Sequence, residues 1–399
     1  MTRNRIRLGR AHWCASLSFV VAVAAAIRLT SPGKPGAGSE ARFVRLSPVR
    51  QVVLPAGRGG HAVGIRVSDP EEGWGGPQDA IIDEQGRIII ADTENCRLLM
   101  VDRSGRIQAK RLPSRFHPYL VTPAEPGWVA VVGYVGQLQP LRLIRYALDS
   151  PAYKPGRSAI LNLPRDWSVK ALASDDRGTV YVSGENQMGP RSVVARISAG
   201  TQRVVKMYLR GIDEQGRSQV VRGYDGFVYL FLVEARRWWK SGVLFFTPKD
   251  RTPMLVRLDA QGKPVKRWDF ADVEDIEGVV GIDREGRVYR SSAISGWYTE
   301  LASPPPEAWG YYVYCYALGD SRPQLLDKAE IGYSKGDMEA NPDFVYLGES
   351  RLRLSPDGSI MLRTATRRRF KLEFFPPPPW RRVPQSEGMH MVPRVRLMS

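Results

Sequence analysis

The chain has 399 residues, 43% of them hydrophobic, with 10 Trp, 16 Tyr and 12 Phe, and its 30 Pro and 38 Gly suit short strands joined by many turns. The net charge of +17 sits at the ends: residues 1–50 carry +8 and residues 363–399 carry +7, leaving +2 for the body. A nearly neutral body excludes the continuous basic face that a phosphate backbone needs, so no nucleic-acid partner is expected.

The first element is a targeting segment. Arg3, Arg5, Arg7 and Arg10 precede an apolar run from Trp13 to Ile27, and Ala22-Val23-Ala24 and Ala24-Ala25-Ala26 follow the small-x-small pattern of a cleavage site. The run is shorter than the roughly 20 apolar residues of a membrane span. Residues 1–27 therefore read as a signal peptide or an uncleaved signal anchor, and either way the body is extracytoplasmic, secreted or membrane-anchored. Membrane association is expected through this segment alone. Cys14 lies inside the apolar run, and Ala11-His12-Trp13 before it is not a lipoprotein box. Residues 28–42, with Pro32-Gly33-Lys34-Pro35-Gly36, form a flexible linker.

Residues Pro77 to Gly105 carry the clearest pattern in the chain. Short apolar runs (Ala80-Ile81-Ile82, Ile88-Ile89-Ile90, Leu98-Leu99-Met100-Val101) alternate with the turns Asp83-x-x-Gly86, Asp92-Thr93-x-Asn95 and Asp102-x-x-Gly105. Such a unit reads as one blade of a β-propeller, which cannot bury its two faces alone and so requires others. The pattern resembles the NHL-repeat family. The resemblance implies an all-β, six-bladed β-propeller of four-stranded antiparallel blades, over residues 43–375.

Further inner hairpins lie at Ala171–Val182, Val220–Leu230, Val279–Tyr289 and Leu352–Leu362, with turn glycines at 86, 178, 226, 286 and 358. The first gap spans two blades, so a degenerate one is placed around Trp128–Val132 and Leu141–Tyr146. Outer hairpins around Met100–Gly105, Ala195–Gly200 and Val256–Gly262 repeat the count, which comes to six. Closure is expected from Val44–Leu54 pairing beside Phe370–Phe375. Pro376-Pro377-Pro378-Pro379 cannot continue a sheet, so residues 376–399 are assigned to a Pro-rich basic tail. Arg367-Arg368-Arg369 is read with that tail as a solvated end, with contact to an anionic surface as the sharper alternative.

Chemistry is sparse. His61 and His117 stand alone among turn residues without metal-ligand spacing, and no nucleophile elbow, Walker loop or Rossmann glycine pattern occurs. Cys96 and Cys315 fall in different blades and are expected as separate thiols. Asp83, Asp175, Asp283 and Asp357 are explained as turn residues. Among relatives of the resembled family, the gluconolactonase-like group holds a divalent cation at the central channel with acidic and amide side chains. The peptide-amidating and streptogramin lyases rely on histidines that this chain does not present in matching blades. No cofactor and no metal ligand is assigned.

Gln78, Asp79, Lys170, Arg222 and Glu277 are read as lying just before inner strands, at the channel mouth, where they suit a polar ligand or a pairing network. Arg236, Arg237, Trp238 and Trp239 occupy an insertion, and a second one runs from Ile294 to Tyr312 through Pro304-Pro305-Pro306 and Trp309. Trp and Arg in long loops are favoured at binding hot spots, with folding back over blade edges as the alternative. Tyr312 to Tyr316 alternates like a packed strand. The expected function is an exported, monomeric, non-catalytic propeller binding a protein or glycan through loop insertions on one face. The alternative is a cation-dependent lactonase or lyase with a carboxylate-held metal.

Overall fold

The computed structural model describes residues 44–380 and the strand Arg394–Val395, apart from 68–73, 114, 137–140, 150–154, 162–166, 187–191, 199–203, 208–215, 235, 241–242, 248–252, 271–277, 294–309, 321, 333–351 and 381–393. In chain order, the sheets are Asp79–Arg111, Phe116–Ile160, Trp167–Met207, Gly216–Asp269, Gly278–Gly332 and Leu352–Phe375, and each begins with four or, in the last, three antiparallel strands. The innermost strands contact one another in order, and the last, Leu352–Leu354, returns to the first, Asp79–Ile82. The fold is a six-bladed β-propeller.

Its core is six separate apolar layers, each built from two neighbouring blades. This explains why the strand sequences are continuous apolar runs. In the first blade Ile88 and Ile90 pack towards the sixth blade while Ile89 and Ala91 pack towards the second. A strand buried on both faces has no polar side to show.

The Asp-Gly turns hold as anticipated. Asp83 Oδ1 accepts from the amides of Gln85 (3.0 Å) and Arg87 (2.9 Å), and Asp175, Asp259 and Asp283 repeat the motif. The degenerate second blade keeps the turn without the Asp. Glu125-Pro126-Gly127 closes it, with Trp128 N donating to Glu125 O at 2.8 Å and Gly127 at φ 77°.

Closure differs from the single strand expected over Val44–Leu54. Arg50–Pro55 pairs antiparallel with Arg369–Phe375 and completes the sixth blade, burying Val52 and Leu54 against the first. Val44–Leu46 is a separate strand that adds in parallel to the outer edge of the fifth blade. Blades five and six therefore have five strands, the sixth gaining Arg394–Val395 in parallel on Arg50–Pro55.

Two further expectations are corrected here. The proline run does not leave the fold: Trp380 is fully buried between blades five and six, its amide 2.6 Å from Asp327 Oδ2 and its ring edge-on to Tyr289. Arg367-Arg368-Arg369 lies not in a solvated tail but at the tight turn between Ile360–Thr366 and Arg369–Phe375. The reason is the closing strand, which needs that hairpin as its partner.

Strand direction sorts the connections into two faces. Short Asp-Gly turns between first and second strands, and between third and fourth, lie on one, here the turn face. The connections 56–78, 235–253, 294–309 and 333–351 leave from strand ends on the opposite, loop face, whereas 376–393 leaves from Phe375 at the turn face.

Candidate functional site: the axial channel and the loop face

The six innermost strands enclose an axial cavity of about 50 Å³, with room for a few waters, lined by residues of every blade, among them Ile81, Thr122, Leu172, Gln219, Val279 and Arg353. Its Gln219, Arg222, Tyr224 and Arg353 side chains are engaged with neighbouring blades. Gln219 Oε1 accepts from Val279 N at 3.0 Å and its Nε2 donates to Val279 O at 2.9 Å, tying blade four to blade five. Asp79 is fully buried at the start of its strand. Its Oδ1 accepts from Arg353 Nε (3.1 Å) and Nη2 (2.8 Å), and its Oδ2 from Val121 N (3.1 Å). One carboxylate thus joins blades six, one and two.

The turn-face end of the channel is closed by two residues of blade four. Arg222 donates to Ser174 O (2.9 Å) and Oγ (3.0 Å), and its Nη2 lies 3.1 Å from Glu84 Oε1 and 2.9 Å from Asp176 Oδ1. Glu84 and Asp176 belong to blades one and three, so the guanidinium spans the mouth. Beneath it Tyr224 Oη is 3.1 Å from both Ile82 O and Leu354 O, and burial raises the pKa of its hydroxyl, which stays a neutral donor.

The residues anticipated at one mouth are therefore not brought together. Asp79 opens its strand near the loop face, whereas Arg222 closes its strand at the turn face. Lys170 is mid-strand, beside the bulge between Val169 and Ala171, and Gln78 donates locally to Gly76 O at 3.3 Å. Glu277 lies outside the described residues. Arg222 ends its strand rather than preceding one, because the turn Gly223–Gly226 follows it directly.

A cation at the axis does not fit these groups. The channel presents Arg222 and Arg353, and the carboxylate of Asp79 is saturated by arginine and a backbone amide. Among the described residues no three His, Cys, Asp or Glu side chains converge.

On the loop face, Arg236–Lys240 and Val243–Thr247 form an extra two-stranded hairpin inserted in blade four. Trp238 stands opposite Phe245 and Trp239 opposite Leu244. From the second insertion, Tyr312, Tyr314 and Tyr316 lie in the third strand of blade five, where Tyr316 packs edge-on to Phe270 of blade four, and 294–309 lies outside the described residues.

A pairing missed in the sequence also lies on the loop face. Cys96, in the left-handed region at φ 53°, places Sγ 3.5 Å from Nδ1 of His117, which also lies 3.0 Å from Thr93 O and stacks on Tyr134 at 5.0 Å. Burial first, then Glu94 and Asp92, raise the Cys96 pKa, so the thiol is held protonated rather than activated. Cys96 ends the second-to-third strand loop of one blade and His117 begins the next, so blade register was the signal that could have joined them.

No family model and no curated protein matches the chain. Among solved structures it is similar to streptogramin B lyase, with 10% identity, a TM-score of 0.39, and 82% of this chain and 98% of that one covered. It is also similar to the calcium-binding regucalcin of Agrobacterium tumefaciens str. C58 (14%, TM-score 0.44, coverage 76% and 91%). A third likeness is to the Dos1 propeller (10%, TM-score 0.42, coverage 84% and 95%). Likenesses this distant say nothing of activity.

Proposed function

We propose that this protein is an exported, monomeric, non-catalytic propeller that binds a protein or glycan partner on its loop face. The observation that carries the reading is topological. The long connections within and between blades leave from that face, including the hairpin with Arg236, Arg237, Trp238 and Trp239, while Gln219, Arg222 and Arg353 at the axis are committed to holding the ring. A rigid scaffold with aromatic-rich projections on one side suits recognition better than turnover.

The test replaces Arg236–Thr247 with a short Gly-Ser turn and, separately, makes Trp238→Ala/Trp239→Ala. Full-length protein is cross-linked in intact cells, and purified protein is applied to a glycan array. A saturable partner or glycan bound by the wild type and weakened about tenfold or more in both variants is expected. Equal binding by wild type and the hairpin-less protein would remove the hairpin from the reading. Export is tested by a reporter fused after residue 42, active only if carried across the membrane.

A further inference from the structure

Both basic ends of the chain leave the folded body at one place, the turn-face side of the seam between blades five and six. Val44–Leu46 runs parallel to Pro323–Gly332, which starts at the turn face, so the linker ending in Arg42-Phe43 arrives from that side. Phe375 ends its strand at the same face, and the chain continues through Trp380 to Arg381-Arg382. The fold therefore gathers here the two ends that carry +8 and +7 of a total charge of +17.

The same seam bears exposed apolar surface. Of the six large apolar side chains exposed among the described residues, three are here: Val49 (56%), Leu325 (46%) and Leu326 (46%). Chain contacts join them. Val49 N donates to Phe374 O at 2.8 Å, and Pro376–Pro379 follow that strand with Pro377 and Pro379 exposed. Trp380 N then donates to the carboxylate of Asp327, the residue after Leu326, at 2.6 Å. Neighbouring strand residues point to opposite faces. Leu325 and Leu326 are nevertheless both exposed, because Val44–Leu46 covers their strand only from Ala329 onward. Exposed Arg322 and half-buried Arg50, 5.1 Å over the Phe374 ring, border the patch, while Asp320 beside it lies 3.8 Å from Lys266. Apolar side chains rimmed by cations match the interface of an anionic bilayer, where acyl chains lie beneath a layer of phosphates.

The chain outside the described body points to the same occupant. The apolar run Trp13–Ile27 is separated from Val44 by the 16 residues 28–43. A flexible linker of that length spans about 20–24 Å on average. Wherever the run enters a bilayer, this seam is the part of the body nearest the tether.

We propose that the turn-face side of the blade five–six seam docks on an anionic phospholipid bilayer through Val49, Leu325 and Leu326, with Arg50 and Arg322 at the headgroups. The body then adds its own contact to the one expected from residues 1–27, and the loop face with its hairpin points away from the bilayer. The tether rests on the export reading, but docking is measured on purified protein, so its failure is distinct from a failure of export or of hairpin binding.

The test places full-length protein in nanodiscs of phosphatidylcholine, with or without phosphatidylglycerol, and measures side-chain oxidation by hydroxyl radicals. Val49, Leu325 and Leu326 should oxidise about threefold or more slowly in discs containing phosphatidylglycerol than in pure phosphatidylcholine. Ile160, 49% exposed across the ring in blade two, should not change. Leu325→Ser/Leu326→Ser should return Val49 to its phosphatidylcholine rate without moving the unfolding midpoint, and Arg322→Glu should do so in part. Equal rates in the two lipids, as cover by the chain's own tail or by a second copy would give, would overturn the proposal. Protection of Trp238 and Trp239 on the loop face in place of the seam would overturn it too.

Discussion

Asp79→Asn tests whether the ring is held by charge at its seam. The wild-type carboxylate accepts two hydrogen bonds from Arg353 and one from Val121 N, and Arg363 Nη1, itself 1% exposed, stands 4.0 Å away. Asparagine keeps the shape and one acceptor but leaves guanidinium charge buried without its counter-ion. Breaking a buried pair from one side costs about 3–5 kcal/mol, a large share of a total stability of about 5–15 kcal/mol. Urea unfolding followed by tryptophan fluorescence should show a lower midpoint. Asp79→Asn/Arg353→Met should recover part of the loss, because the double variant removes both charges and retains volume. A midpoint within about 0.5 kcal/mol of wild type would refute the structural role and return Asp79 to the pool of ligand-binding candidates.

Four further outcomes are expected. Arg290, 2% exposed and set over Phe231 (5.5 Å) and Phe270 (4.9 Å), has its pKa lowered to about 10 by burial; Arg290→Met should cost under about 1.5 kcal/mol or stabilise, whereas Arg290→Ala should cost more, by chemical denaturation. Leu54→Ala, on the closing strand and fully buried, should cost about 2–5 kcal/mol. Gly133→Ala should destabilise by roughly 1–3 kcal/mol, since its Cβ would lie 2.2 Å from His117 O and 2.6 Å from the Phe116 ring; a thermal melt checks it. Burial pushes the Cys315 thiol from 9.0 up to about 12, so the folded state keeps a proton the unfolded state releases; that contribution is full below pH 9 and fades towards pH 12. Wild type should therefore lose stability relative to Cys315→Ala over that range, and Ellman's reagent should label Cys96 before Cys315 in native protein.

The scaffold was legible because its determinants are local. Asp83-x-x-Gly86 folds on itself, and Ile88-Ile89-Ile90 announces a strand buried on both sides whichever neighbours it meets. Closure by an N-terminal strand beside Phe370–Phe375 was legible too, since a ring of blades needs its ends joined. The contents of the channel were not. Arg222 meets Glu84 across 138 positions and Tyr224 meets Ile82 across 142, and no local pattern marks either partner. Cys96 and His117, 21 positions apart in adjacent blades, likewise carry no local pattern that joins them. An arginine in a strand reads as a surface charge until the blade opposite supplies its carboxylate or carbonyl.

The seam also sets an order of events. Gln51 meets Glu373 at 2.7 Å across 322 positions, so the last blade unites the two ends of the folded body. During synthesis the strand Arg50–Pro55 emerges early and has no antiparallel partner until Arg369–Phe375 follows. Through that interval the nascent chain carries an open edge able to pair with a neighbouring chain. Contacts this distant are slow to form because the loop entropy must be met first. Ring closure is therefore the expected late step of folding, and a chain stalled before residue 369 should be held unclosed and prone to aggregate.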